Sequence, residues 1–339
     1  MRGALGAGFL PLLFRKPPTC RTFNFMKYNR YIPDAPPVSQ IGMGTWQLGV
    51  NAGWRNLSEQ EAIRMVHTAL EAGVNFFDTA PNYGAGTSEL RLGKALQKAD
   101  RSDIIINTKF GHTVGGNIDF STDAIRTSVE GSLRRLQVDY LDSAIFHNPP
   151  HELLDGNRAA AQYELLERLV EEGKIKAYGA SLDTYEEIKL FVETTNGAVV
   201  EAFFNILHQG TARAFELAQE REVGIIVKIP MDSGWLSGKY GPEHTFEGVR
   251  SRWSGADIEQ RAALVEAVKQ LLEPDFQLPQ AALTFCLAHE AVSTVIPGST
   301  QLDQLRSNLS SVEKPLPEEL VGKLKAFYQE KVRPLRLPW

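Results

Sequence analysis

From residue 38 onward the chain repeats one unit: a short apolar run, a polar or glycine-containing corner, then an amphipathic helix. This alternation restricts the fold tightly, because strands that take turns with helices pair in parallel through crossovers. The runs fall near 41–45 and at 74–77, 104–107, 141–146, 175–179, 199–204, 224–229 and 292–296, which makes eight candidate strands. The helices between them carry their own punctuation. Ser58 and Glu61 form a capping box ahead of Ile63, Val66 and Leu70, with Gly73 as the stop. Ile125, Val129, Leu133 and Leu136 keep helical spacing, and Thr184 with Glu187 repeats the capping box before Ile188, Phe191 and Val192. Pro317 with Glu318 and Glu319 opens a late helix. Eight such units fit a single-domain α/β fold, the (β/α)8 TIM barrel, over residues 38–325. An open doubly wound sheet would call for a glycine-rich phosphate loop, and neither G-x-G-x-x-G nor a P-loop motif occurs. The rhythm breaks once, at 232–257, where a long loop leaves a strand end.

Composition adds exclusions. With 43% hydrophobic and 23% charged residues the chain can bury a large core, and a net charge of −5 gives no general attraction to nucleic acid or anionic lipid. No run approaches the length of a membrane span. Two cysteines, Cys20 and Cys286, make no disulfide scaffold, and the histidines form no metal-spaced cluster, so no metal is expected. The first 37 residues read as a basic leader: Arg2, Arg15, Lys16, Arg21, Lys27 and Arg30 precede the first acid, Asp34. A disordered leader, a transit peptide and an overlong start all fit. The expected compartment is cytoplasmic, with mitochondrial import left open. Residues 326–339 read as a C-terminal tail.

Barrels concentrate chemistry at the C-terminal ends of their strands. Those ends here supply Asp78, Lys109 and His147, with Tyr83 in the loop after Asp78. Singly, each has an ordinary reading as a helix cap, a solvated cation or a structural histidine. Together they permit one chemistry. Hydride addition to a carbonyl puts negative charge on oxygen, so a proton donor must sit there. A tyrosine ionises near 10. Lys109 is expected to lower that value, Asp78 to hold Lys109, and neutral His147 to donate to the carbonyl oxygen.

Several segments resemble the aldo-keto reductase family. They are Gly42-Met43-Gly44-Thr45-Trp46-Gln47-Leu48-Gly49, Asp78-Thr79-Ala80-Pro81-Asn82-Tyr83-Gly84, Thr108-Lys109, Asp139-Tyr140-Leu141-Asp142 leading to His147, Gly179-Ala180-Ser181, and Ile296-Pro297-Gly298-Ser299. The resemblance implies a nicotinamide cofactor stretched across the barrel mouth, with Asp78, Tyr83, Lys109 and His147 as the catalytic tetrad. It places Gly44, Thr45, Trp46, Asp78 and Ser181 near the nicotinamide, and Gly298, Ser299, Thr300, Gln304 and Asn308 at the adenosine end. Three positions depart from the family pattern: Leu182 where asparagine is usual, Glu201 where glutamine is usual, and Lys228 where an aromatic is usual. Equivalent contacts in a divergent subfamily are one reading. The sharper one is a direct Glu201–Lys228 pair under the nicotinamide.

The resemblance puts NADP(H) ahead of NAD(H), although the adenosine segment lacks the usual cation and Arg306 stands nearby. The implied partner is a small carbonyl or alcohol: an aldehyde, ketone or sugar. Trp46, Trp54, Phe110, Trp235, Tyr240 and Trp253 are candidates to shape its pocket. The alternative reading is a cofactor-holding redox sensor or regulatory subunit with little turnover.

Overall fold

A computed structural model describes residues 25–49 and 55–338. Cys20, Trp54 and most of the basic leader lie outside the described residues. In chain order the elements are β1 (Tyr28–Asn29), β2 (Val38–Ser39), β3 (Met43–Gly44), α1 (Trp46–Gly49), α2 (Glu59–Glu71), β4 (Phe76–Asp78) and α3 (Thr87–Leu96). Next come β5 (Ile105–Phe110), α4 (Thr122–Leu136), β6 (Ser143–His147), α5 (Ala160–Glu171), β7 (Tyr178–Leu182), α6 (Tyr185–Thr194), β8 (Val199–Phe203) and α7 (Phe215–Glu220). The chain finishes with β9 (Gly224–Lys228), α8 (Gly255–Leu271), α9 (Leu278–Leu287), β10 (Val292–Val295), α10 (Leu302–Ser310) and α11 (Glu318–Phe327).

Strands β3 to β10 form one parallel eight-stranded sheet in sequence order. The two edges meet: the Gly42 amide donates to the Val295 carbonyl at 2.9 Å, and the Val295 amide to the Gln40 carbonyl at 2.9 Å. The sheet is therefore a closed (β/α)8 barrel, as the eight apolar runs imply. Both expected capping boxes form, at Ser58–Glu61 and Thr184–Glu187, and Pro317 stands at the N-cap of α11.

Strand alternation separates two cores. Phe76, Ile105, Ile145, Val199, Ile226 and Ile296 point into the barrel, where they pack as one buried cluster. Their neighbours on the opposite strand face, such as Phe77, Ile106, Phe146 and Val200, pack with the helices outside. Residues grouped with the leader by sequence continue this inner core. β1 pairs antiparallel with β2, Tyr31 and Ile32 are buried, and the Tyr31 hydroxyl lies 2.7 Å from Ser143 Oγ at the start of β6. This segment closes the barrel floor.

The C-terminal tail is also held. Val332 is buried, and the fully buried Arg261 guanidinium on α8 reaches both the Pro338 carbonyl and Asp232 in the long loop after β9. Asp232 is buried as well, so tail, helix and loop meet at one internal ion pair.

Candidate active site

The period of two that fills the barrel also builds the site. Asp78 stands two residues beyond inward-facing Phe76, His147 two beyond Ile145, Glu201 two beyond Val199 and Lys228 two beyond Ile226; Lys109 stands four beyond Ile105. Each strand thus ends its apolar layer with a polar residue facing the same mouth.

Lys109 is the hub. Its Nζ lies 2.7 Å from both Asp78 oxygens, 3.1 Å from Glu201 Oε2 and 3.2 Å from the Thr79 carbonyl, and it is 1% exposed. Asn107 Nδ2 donates to Asp78 Oδ2 at 2.7 Å, fixing the carboxylate from below. Lys109 Nζ sits 5.3 Å from the centre of the Tyr83 ring. The turn after β4 presents that ring. Gly84 follows it at φ +61°, where a side chain would collide with the Gly49 backbone. Across the mouth His147 meets Tyr83 edge-on at 5.9 Å and stacks on His112 at 4.5 Å. The four residues expected to form the tetrad are brought together.

The electrostatics qualify one expectation. Burial pushes the Tyr83 phenol well above its ordinary value; Lys109 opposes this, while the charges of Asp78 and Glu201 reinforce it. Lys109 therefore pulls the Tyr83 value down, but burial outweighs it and the net value stays above that of a free tyrosine. Burial and the Glu201 charge push the Asp78 carboxyl up to about 8, against the pull of Lys109. Lys109 itself is held well above its usual range: burial opposes the charge, but Asp78 and Glu201 outweigh it. His147 is held far below its usual value by burial, with Lys109, His112 and Lys228 adding to the effect. It is a neutral imidazole, as its expected role requires.

The three departures also resolve. Glu201 and Lys228 do not pair directly. Strand register is the reason: Glu201 lies opposite Ile226, whereas Lys228 lies opposite Phe203, two residues higher. Glu201 instead shares its level with Ser181 and His147. Lys228 Nζ donates to Ser181 Oγ at 2.8 Å and Asn148 Oδ1 at 3.0 Å, and pairs with Asp183 at 2.8 Å. Ser181 Oγ in turn donates to Glu201 Oε1 at 3.3 Å, so a hydroxyl stands between the two charges. Leu182 points outward into the helix-side core. Immediately after Lys228, Ile229 takes φ +54°, a strained conformation for a β-branched residue at the rim of the site.

A cleft of about 930 Å³ runs from Tyr83, His147 and Trp46 past Glu201 and Lys228 to Gly298, Thr300, Gln304 and Asn308. Gly44, Thr45, Asp78 and Ser181 also border it, whereas Ser299 is 4% exposed behind the cleft and accepts from Asn308 Nδ2 at 3.1 Å. A Cβ on Gly44 would come within 2.9 Å of the Ile296 carbonyl, so backbone alone fits at this seam. Gln47 Oε1 and Asn82 Oδ1 are buried in residues lining the cleft and lack a hydrogen-bond partner among the described residues. An elongated slot with unmatched acceptors suits an extended dinucleotide beside a small polar substrate. Of the aromatic candidates, Trp46 and Tyr240 reach the cleft, while Phe110, Trp235 and Trp253 are buried packing residues.

Several lining residues were not singled out from sequence: Arg55, His112, Asn148, Asp183 and Asp303. All lie in loops or a helix start, where no strand period flags them. Arg55 donates to the Thr300 carbonyl at 2.9 Å and pairs with Glu61, placing a carboxylate-matched cation at the Thr300–Gln304 end. Arg306 pairs with Asp303 and does not line the cleft. Cys286 is fully buried, and burial raises its thiol well above the ordinary range, which removes it as a nucleophile. Among the described residues no group of three or more ligating side chains could hold a metal ion, and no helix is long and apolar enough to cross a membrane.

The barrel thus sets a buried Lys–Asp pair behind a tyrosine and a neutral histidine at one mouth. The family model described as "Aldo/keto reductase family" matches residues 40–329, and the chain belongs to that family. It is 30% identical over 282 residues to L-galactose dehydrogenase of Arabidopsis thaliana, covering 81% of this chain and 84% of that protein. It is 28% identical over 298 residues to the NADH-specific methylglyoxal reductase of Escherichia coli strain K12, covering 81% and 90%. Among solved structures, the holo form of an aldo-keto reductase from Bacillus halodurans superposes with a TM-score of 0.74 at 31% identity, covering 88% of this chain and 96% of the other. The glycerol dehydrogenase of Gluconobacter oxydans superposes at 0.76 with 25% identity, covering 92% and 98%. The protein is thus an oxidoreductase of a family that works with nicotinamide cofactors on small carbonyl compounds.

Proposed function

We propose that the protein reduces the carbonyl group of a small aldehyde, ketone or sugar with NAD(P)H, and runs the reverse reaction on the alcohol, with Tyr83 as general acid and base. The observation that carries this reading is Tyr83 at the head of the cleft, backed by Lys109 and its Asp78 partner. The bound nicotinamide supplies or accepts the hydride. Gly44, Thr45, Trp46, Asp78, Ser181, Glu201 and Lys228 would border its ring end, and Gly298, Thr300, Gln304 and Asn308 its adenosine end, with Ser299 supporting Asn308 from behind.

In the reductive direction a substrate oxygen sits between Tyr83 and His147. Neutral His147 donates a hydrogen bond to that oxygen and stabilises its growing charge. Tyr83 then gives up its proton. Its raised value does not block this step, because an alkoxide is a far stronger base than a phenolate. Lys109 stabilises the phenolate left behind, and Asp78 keeps Lys109 charged and aimed. The raised value does make Tyr83 reluctant to act as a base, so alcohol oxidation should need a higher pH than reduction.

We read the cofactor as NADP(H) ahead of NAD(H), on the strength of Arg55 at the Thr300–Gln304 end, where a 2′-phosphate would find a cation. The site of action is read as cytoplasmic, with the basic leader as the reason to test mitochondrial import. The proposal is tested by following nicotinamide absorbance with each cofactor over a panel of aldehydes, ketones and sugars. Turnover on at least one class supports it. Tight cofactor binding without turnover on any class would move the assignment to a cofactor-holding sensor.

A further inference from the structure

The catalytic scheme uses one carboxylate on Lys109, yet the structure gives that lysine two. Glu201 is 3% exposed, buried as deeply as Asp78 and Lys109, and no step above employs it. Its Oε2 lies 3.1 Å from Lys109 Nζ, and its Oε1 accepts from Ser181. It comes from β8, whereas Asp78 comes from β4, so the ammonium is gripped from both sides of the barrel. We infer that Glu201 is a positioning residue that acts through Lys109 to keep Tyr83 protonated, and so sets the pH range in which the site donates rather than accepts a proton.

The inference rests on Tyr83 being the acid–base group. Two carboxylates on one buried ammonium cannot both shed their protons freely, because like charges at short range oppose each other's ionisation. The pair therefore retains one exchangeable proton near neutrality, and Asp78, pushed up to about 8 by burial and by Glu201, shows where that behaviour surfaces. Below that pH the cluster of Asp78, Glu201 and Lys109 is neutral. Above it the cluster carries one net negative charge beside Tyr83, which opposes formation of a second anion. A glutamine at 201 would leave the cluster neutral on both sides of that point.

The other titratable groups facing the cluster do not supply the missing positive charge. His147 on β6 is neutral. Lys228 on β9 is engaged by Ser181, Asn148 and Asp183, so its charge is matched by Asp183. Tyr31 beneath is buried and protonated, its phenol raised by burial.

The test is a pair of pH–rate profiles on the full chain with saturating cofactor: reduction of an aromatic aldehyde and oxidation of the matching alcohol. In Glu201→Gln the alkaline loss of reduction and the alkaline gain of oxidation are expected to move down together by at least one pH unit. Oxidation on the rising limb then speeds up about tenfold. Glu201→Asp, which keeps the charge, is expected to return both limbs toward wild type. Superimposable profiles in folded Glu201→Gln overturn the inference, as does movement of one limb only, since a structural role need not shift both. A second readout needs no Glu201 variant. Ultraviolet titration of wild type minus Tyr83→Phe isolates the Tyr83 phenolate, which is expected to form above the ordinary tyrosine value of about 10. Its formation below that value overturns the inference. Retained turnover in Tyr83→Phe would instead remove the reading of Tyr83, which keeps the two failures distinct.

Discussion

Lys109→Met isolates what the central cation does for folding. The substitution keeps most of the side-chain volume but leaves Asp78 and Glu201, 2% and 3% exposed, facing each other without the ammonium between them. Removing one partner of a buried ion pair costs about 3–5 kcal/mol. An unfolding entropy of about 2.1 cal/mol/K per residue over 339 residues corresponds to about 0.7 kcal/mol per degree. The melting temperature should therefore fall by about 4–7 °C at neutral pH. The sign of its pH dependence is fixed by the carboxylates. Without Lys109 the Asp78 carboxyl, already raised by burial, loses the pull that opposes that rise, so the variant's deficit grows as pH climbs above the unfolded value of about 4. Scanning calorimetry of wild type and variant at pH 5 and pH 8 is the assay. A deficit at pH 8 that shrinks at pH 5 is expected; an equal deficit at both, or none, would refute the ion-pair reasoning.

Two further outcomes follow from the same physics. Arg261→Met takes the guanidinium away from the fully buried Asp232 carboxylate and releases the Pro338 contact, so a stability loss of about 3–5 kcal/mol is expected by denaturant unfolding. Burial works against ionised Asp232, but Arg261 and His208 outweigh it and hold its value down; the deficit should therefore shrink as pH falls below about 4. Arg55→Ala should lower kcat/KM for NADPH by about 10- to 100-fold with little change for NADH, as read from cofactor saturation curves. An equal loss for both cofactors would remove Arg55 as the discriminating cation.

The fold and the strand ends that carry Asp78, Lys109 and His147 were legible because both follow from local patterns. Apolar runs such as 199–204 and 224–229 report strands directly, and a residue two beyond an inward-facing one must face the same mouth. Asp78, Lys109 and His147 were placed at strand ends on that logic, while Glu201 and Lys228 were singled out by the family resemblance. Their partners could not be placed either way. The Glu201–Lys109 contact joins β8 to β5 across the closed barrel, and no spacing in sequence encodes a distance across a lumen. The expected Glu201–Lys228 pair failed over a two-residue offset between adjacent strands, which only register reveals. Lys228 found Asp183 and Asn148 in loops beyond β7 and β6, where side chains obey no period. The same holds for residues 28–32. Their basic surroundings resemble a leader, yet Tyr31 and Ile32 carry the apolar surface that closes the barrel floor.

The central claim is that Tyr83 exchanges the proton in a hydride-transfer reaction. The direct measurement is Tyr83→Phe, assayed for carbonyl reduction alongside cofactor affinity by fluorescence titration. Loss of two or more orders of magnitude in kcat with unchanged cofactor affinity is the expected result, since general acid catalysis contributes about 10²–10⁴-fold. Reduction that continues at the wild-type rate would contradict the account.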